Sequence, residues 1–326
     1  MIITRTPFRV SIGGGGTDLP SFYERHGGFV ISAAIDKHVY VSINRAFYPG
    51  YLLKYFEMER APTAAEIRHP LIREAVALLE LEPPVEIVSI ADVPGGTGLG
   101  SSGSFTVGLL HAIAAYQHHR VGAEILARQA VEIEMVRLGD PVGKQDPYVA
   151  AYGGIICQEY HPGGDVTITP LAVSQDTIGD LLDNLLLFFT GGSRHAVDLL
   201  RDQKRRSQQD DAAMLANLQF IKSVGYETRA RLEAGDTAGF ARLMHEHWLR
   251  KKERSPGITD PRIDALYELA LANGALGGKL VGAGGGGFLM FYATDARRLR
   301  RAMAEAGLAE MRFGFDFEGS VVLCRS

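Results

Sequence analysis

Two cysteines in 326 residues, with no C-x-x-C pair between them, leave no material for a disulfide framework or a thiolate metal centre. Cys157 and Cys324 stand in apolar, strand-like surroundings, which predicts buried thiols in a reducing compartment. Long hydrophobic runs are also missing. The longest, Leu185 to Phe189, is far short of a membrane span, and Met1-Ile-Ile-Thr-Arg5 lacks the apolar core of a secretion signal, so a cytoplasmic location is expected. A formal charge of −4 supplies no basic field for nucleic acid or anionic membrane, and any anion must be held by local groups. Disorder-type composition is absent at 46% hydrophobic and 22% charged, and the length allows two cores. There is no internal repeat and no Walker-type G-x-x-x-x-G-K-[ST].

What the chain has in quantity is glycine, and the glycines cluster. The stretch Asp92-Val-Pro94-Gly95-Gly96-Thr97-Gly98-Leu99-Gly100-Ser101-Ser102-Gly103 runs directly into Phe105, Leu109 and Ile113, whose spacing predicts one apolar face of a helix. A flexible loop ending at a helix N-terminus offers unpaired N–H groups and the positive end of the helix dipole to a phosphate, with Ser101 and Ser102 placed to cap the helix or reach a metal. A turn with an N-cap would look the same. A dinucleotide fingerprint is disfavoured: Gly98–Gly103 and Gly282–Gly287 both fit G-x-G-x-x-G, but neither lies in a βαβ unit, and a strand, Phe288–Tyr292, follows the second.

Along the chain, Met1 to Val10 reads as a strand leading into the loop Gly13–Asp18. Phe29–Ile35 and His38–Ile43 read as neighbouring strands around Asp36-Lys37, Pro70–Leu79 as a helix and Val85–Ile90 as a strand. Gly122–Leu138 is predicted as an amphipathic helix whose Glu132 and Glu134 point to different faces, ending in a rigid loop, Gly139–Pro147, that carries Asp146. A composition shift at Asp176–Asp183 suggests domains at 1–175 and 176–326. Beyond it, Leu185–Thr190 is a strand leading to Gly191-Gly-Ser-Arg194, Ala196–Leu232 is helical and charged, and His245-Glu-His247 on the next helix does not put two imidazoles on one face, which argues against a metal pair. Pro261–Asn273 is a helix, and the closing run Val321–Cys324 is apolar.

Three glycine loops in this order, together with Arg9, Asp18, Glu134 and Asp146, resemble a known family. Pro7-Phe-Arg9-Val-Ser-Ile-Gly-Gly-Gly-Gly-Thr-Asp18, Pro94–Ser102 and Lys279-Leu-Val-Gly-Ala-Gly-Gly-Gly-Gly287 look like the three motifs of the GHMP small-molecule kinases. Within that family Arg5–Arg9, Ser89–Pro94, Gly143–Pro147 and Gly274–Lys279 are most similar to the D-glycero-α-D-manno-heptose 7-phosphate kinases, whereas Gly14-Gly15-Gly16 departs from the Gly-Glu-His of galactokinases. The resemblance implies an α+β, two-domain fold: an N-terminal domain like the second domain of ribosomal protein S5, a ferredoxin-like C-terminal domain, and an active site between them.

It also implies roles. Asp146 matches the general base and Arg9 the basic residue against it; Glu134 and Ser102 match the Mg²⁺ ligands; Pro94, Gly95, Gly96, Thr97, Gly98, Leu99, Gly100, Ser101 and Ser102, with Gly284 and Gly285, match the ATP cradle; Gly14, Gly15, Gly16, Thr17 and Asp18 match the sugar-holding loop. A phosphorylated sugar needs a second anion site, for which Lys37 and Arg194 are the candidates. The expected activity is ATP- and Mg²⁺-dependent phosphorylation of the anomeric hydroxyl of the heptose 7-phosphate. The alternatives are a kinase of galactose, fucose or another sugar phosphate, and a non-catalytic sugar–nucleotide sensor.

Overall fold

The computed structural model describes residues 1–191, 196–209 and 211–325. In chain order the elements are β1 Ile2–Gly13, α1 Pro20–His26, β2 Gly28–Arg45, β3 Tyr51–Lys54, β4 Met58–Ala61, α2 Pro70–Leu78, β5 Val85–Ala91, α3 Ser101–Tyr116, α4 Ala123–Val131, α5 Gln145–Tyr152, β6 Ile155–Tyr160 and β7 Val166–Pro170. The chain continues with α6 Gln175–Asn184, β8 Leu185–Gly191, α7 Ala196–Gln208, α8 Ala212–Glu233, α9 Thr237–Arg254, α10 Pro261–Ala272, β9 Ala275–Leu280, β10 Gly287–Ala293, α11 Ala296–Glu305, β11 Ala309–Met311 and β12 Val321–Arg325.

The first sheet has the order β12-β1-β2-β5-β3-β4, with β6 on β2 and β7 on β6. Its spine is β2. The two runs expected as neighbouring strands are one strand, whose first half pairs with β6 and whose second half pairs with β5. The sequence break at Asp36-Lys37 is a bulge: Pro7 faces His38 while Phe8 faces Ile35, so two residues of β2 have no opposite number on β1.

The helix after the central glycine loop, α3, differs from its expected single apolar face. Eleven of its residues are buried, because it lies between β1–β2 on one side and α2, α4 and α5 on the other. Small and hydroxyl residues make the contact with the sheet close: the Ser104 hydroxyl donates to the Pro7 carbonyl at 2.7 Å, and a Cβ on Gly108 would stand 2.7 Å from Thr6 Oγ1. Internal hydrogen bonds of this kind let the hydroxyl residues of a helix sit in an apolar core.

The second sheet is antiparallel, order β11-β8-β10-β9. With α7–α10 between β8 and β9, and α11 between β10 and β11, this is the β-α-β-β-α-β order of a ferredoxin-like domain, so the fold is a mixed two-domain α+β arrangement. Two expectations are corrected. The helical stretch 196–232 is broken in two, α8 being capped by Asp211, whose carboxylate accepts from the Met214 amide at 2.9 Å. A division at 175/176 also assigns the chain end to the wrong sheet, since β12 pairs with β1 and returns the C-terminus to the first domain. Among the described residues no helix is long and apolar enough to cross a membrane.

Candidate active site

Arg9 projects from β1, and Asp146 lies in the first turn of α5 rather than in the loop expected to carry it. Arg9 Nε and Nη2 donate to Asp146 Oδ1 and Oδ2 at 2.7 and 2.8 Å, a two-point fork that fixes both planes. Gln145 Nε2 donates to Oδ1 as well, at 3.1 Å, so Oδ1 has two donors and Oδ2 one. The remaining lone pair of Oδ2 is the one available to accept a proton.

The central glycine loop backs onto this pair. A Cβ on Gly100 would lie 3.1 Å from both Arg9 Cγ and Asp146 Cγ, and the Arg9 amide donates to the Leu99 carbonyl at 3.0 Å. Gly100 (φ 76°) precedes α3, and no side chain caps the helix; neither Ser101 nor Ser102 does so. Pro94, Gly95 and Gly96 are exposed, and Thr97 is held by its own hydroxyl on the Pro94 carbonyl at 3.1 Å. The third glycine loop touches the second, with Gly98 and Gly282 backbone to backbone: a Cβ on Gly98 would stand 2.7 Å from the Val281 carbonyl, and one on Gly282 2.7 Å from Gly98 Cα. Gly284 is buried, and Gly285 is tied to the Ile258 carbonyl through its amide at 3.0 Å.

Glu134 sits in a π-helical turn, Glu132–Arg137, that continues α4. The wider turn separates the two acids: Glu132 pairs with Arg137 at the surface at 3.0 Å, while Glu134 is buried beneath the start of α3, next to the Ser102 and Thr106 hydroxyls. Burial, then the charge of Asp146, push its carboxyl up to about 8 against the Ser102 hydrogen bond. A buried acid with hydroxyl neighbours and, among the described residues, no basic partner at hydrogen-bonding distance suits a hard divalent cation. Among the described residues no three His, Cys, Asp or Glu side chains converge.

On the other side of the Arg9–Asp146 pair a cavity opens between the domains, lined from the first by Ser11, Gly15, Gly16, Asp18, Gly143 and Gln145, and from the second by α7, α9 and the third glycine loop. Asp18 is buried, accepts from the Gly16 and Gln145 amides at 3.1 and 3.3 Å, and has its carboxyl pushed up by burial and by Asp146. Gly14 and Thr17 are not in the cavity wall. The Thr17 hydroxyl donates to the Gly14 and Phe29 carbonyls and accepts from the Phe29 amide, so both residues shape the loop. Lys37 is corrected: it lies at the β2 bulge, paired with Asp36 at 2.8 Å and away from the cavity. Arg194 lies outside the described residues.

The cavity's main cations were missing from the sequence reading. Lys251 and Arg254 on α9 and Lys279 on β9 are all buried. A sequence signal for two of them exists, since His247, Lys251 and Arg254 fall at i, i+4 and i+7, a basic stripe along the α9 face that packs inward. His245, two residues before His247 and on another face of α9, bonds Tyr267 instead.

Three comparisons bear on this geometry. Residues 70–154 match the GHMP kinases N terminal domain and residues 228–309 the GHMP kinases C terminal domain, together just over half of the chain. The D-glycero-alpha-D-manno-heptose 7-phosphate kinase of Campylobacter jejuni is 27% identical across 98% of this chain and 97% of its own length. The bifunctional fucokinase/GDP-fucose pyrophosphorylase of Arabidopsis thaliana is 26% identical over 90% of this chain, which spans only 30% of that longer protein. Among solved structures, a D-glycero-D-manno-heptose 1-phosphate kinase from Bacteriodes thetaiotaomicron aligns over 100% of both chains with a TM-score of 0.82 at 26% identity.

Proposed function

The chain belongs to the GHMP kinases, and from that premise we propose that it transfers the γ-phosphoryl group of ATP to the anomeric hydroxyl of D-glycero-α-D-manno-heptose 7-phosphate, giving the 1,7-bisphosphate. It is a phosphotransferase of the sugar-kinase type; the acceptor and the position of transfer are the proposed part. The observation that carries the reading is the Arg9–Asp146 fork at the junction between a glycine-lined helix N-terminus and a polar cavity.

Asp146 Oδ2 accepts the proton of the attacking hydroxyl, while Arg9 and Gln145 hold the carboxylate in orientation. Asp18, fixed by two backbone amides, aligns the acceptor hydroxyls. The loop from Pro94 to Ser102 and the start of α3 receive the triphosphate on backbone N–H groups. Glu134 and Ser102 would hold Mg²⁺, which when bound supplies charge neutralisation of the phosphates. Exclusion of water falls to the domain junction at Gly98 and Gly282, where backbone meets backbone.

The test is ADP release across free and phosphorylated hexoses and heptoses, with product identified by phosphorus NMR. The expected result is highest kcat/KM with the heptose 7-phosphate and a new anomeric phosphate. Faster release with fucose or galactose would overturn the acceptor, and no release with any sugar would overturn the kinase reading.

A further inference from the structure

The wall of the central cavity carries four cations, Arg9, Lys251, Arg254 and Lys279, against two carboxylates, Asp18 and Asp146. Arg9 is consumed by Asp146. The other three have no ion pair among the described residues and are tethered by neutral acceptors: Lys279 Nζ to the Ile12 carbonyl at 2.9 Å, Lys251 Nζ to the Leu280 and Gly282 carbonyls, and Arg254 to the Gln203 and Asn217 side chains and the Gly15 carbonyl. Gathering buried cations without a counter-ion is costly, and it shows: burial and mutual repulsion push the Lys279 ammonium down to about 7 and Lys251 well below its usual range.

Two buried polar atoms of the same wall have no hydrogen-bond partner, Ser11 Oγ on β1 and His247 Nδ1 on α9. Ser11 and Arg254 both meet Gly15: a Cβ there would stand 3.0 Å from Ser11 Oγ, and Arg254 Nη2 donates to its carbonyl at 3.4 Å. Cations and unpartnered polar groups thus gather beside the Gly15–Asp18 loop. No residue of 94–102 lines this cavity, and the loop assigned to the triphosphate packs behind its wall, against Arg9, Asp146 and Gly282.

We propose that Arg254, Lys279 and Lys251, with Ser11 and His247, form the seat for a phosphate monoester carried by the acceptor, so that the substrate class is a sugar already phosphorylated away from the reacting hydroxyl. With both lysines protonated the wall carries two net positive charges, which match a monoester dianion, and the dianion in turn favours the ammonium forms. A guanidinium and two ammonium groups supply donors that a neutral sugar tail would leave unpaired, which makes the seat selective against the unphosphorylated acceptor. The inference rests on the sugar-kinase reading of the cleft and deepens it by assigning the second anion site.

Isothermal titration calorimetry without nucleotide reads the seat independently of turnover. D-glycero-D-manno-heptose 7-phosphate is expected to bind at least about tenfold tighter than the unphosphorylated heptose, the equivalent of one charge-assisted hydrogen bond. Arg254→Gln and Lys279→Met are expected to bring the two ligands within about threefold of each other. Ser11→Ala, which removes one hydroxyl and leaves the cations in place, should narrow the difference without abolishing it. A non-hydrolysable ATP analogue titrated into each variant controls for folding and should bind within about threefold of the unaltered protein. Equal binding of the two sugars to the unaltered protein overturns the seat, as does a loss of analogue affinity in the variants that matches or exceeds the loss for the sugar phosphate. An intact preference for the phosphorylated sugar with no ADP release from any acceptor would instead overturn the kinase reading and leave the seat standing.

Discussion

Arg9 and Asp146, 137 positions apart in the chain, are locked carboxylate to guanidinium at 2.7 and 2.8 Å, with the backbone of Gly100 packed directly against both. The glycine there is a spatial requirement: any side chain would press into the fork. The same contact links the triphosphate loop to the proton acceptor, so a shift of one is felt by the other.

Asp146→Asn keeps the shape and the Arg9 contact on its oxygen but removes the proton acceptor. Turnover is expected to fall by about 10²- to 10⁴-fold while binding of an ATP analogue stays within a few fold. Single-turnover kinetics and calorimetry measure the two separately, and retained turnover would take Asp146 out of the role of base.

Glu134→Gln replaces a buried carboxyl, pushed up to about 8, by a neutral isostere. Without metal the folded chain keeps a proton here that the unfolded chain loses above pH 4.5, so the acid costs stability at neutral pH and Glu134→Gln is expected to unfold at higher denaturant than the parent, the gain growing as pH rises from 4.5 to about 8. The Mg²⁺ concentration for half-maximal rate should rise by about 10- to 100-fold, the scale of losing a ligand-level interaction. An unchanged Mg²⁺ dependence would dismiss Glu134 as a metal ligand.

Gly98→Ala places a methyl 2.7 Å from the Val281 carbonyl at a residue with φ of 85°. The backbone term alone costs about 1–2 kcal/mol, and the clash pushes the second and third glycine loops apart. A lowered Tm and a raised KM for ATP are expected. Gly95→Ala, with no atom nearer than 3.8 Å, is the control for stability and should lie within about 0.5 kcal/mol of the parent by chemical denaturation.

Lys279 gives a pH signature. Its ammonium is pushed down from 10.5 to about 7 in the folded chain, so between those values the unfolded chain binds a proton that the folded one has lost. Stability therefore rises with pH across that window, by about 1.4 kcal/mol per unit from this group, and the penalty of burying the charge is full below pH 7. Lys279→Met should be more stable than the parent at pH 6.5, with the difference shrinking toward pH 10. Denaturant unfolding at the two pH values checks it; a difference that grows with pH would show the lysine to be paired when folded.

The glycine loops and the strand leading to Arg9 were legible because each is a short-range pattern, a residue type demanded by the local backbone, whereas the acids at 18, 134 and 146 were singled out through the resemblance of the motifs that carry them. Strand and helix types followed from periodicities of two and 3.6, as in Val85–Ala91 and Pro261–Ala272. Periodicity misled where packing is two-sided, as in α3, and where a bulge imitates a strand end, as at Asp36-Lys37. The return of Val321–Arg325 to β1 is a pairing over more than 300 residues that no local pattern encodes.

The cations divide along the same line. Lys251, Lys252, Glu253 and Arg254 read as one charged helix end, yet only Lys251 and Arg254 turn inward, because the face they share with His247 packs on β9 and the first glycine loop. Composition and motif order determined the family and the kind of reaction. Which charges are stripped of water and aimed at one cavity was decided only when two domains closed on each other, since burial belongs to the packed assembly of elements and not to any one stretch of chain.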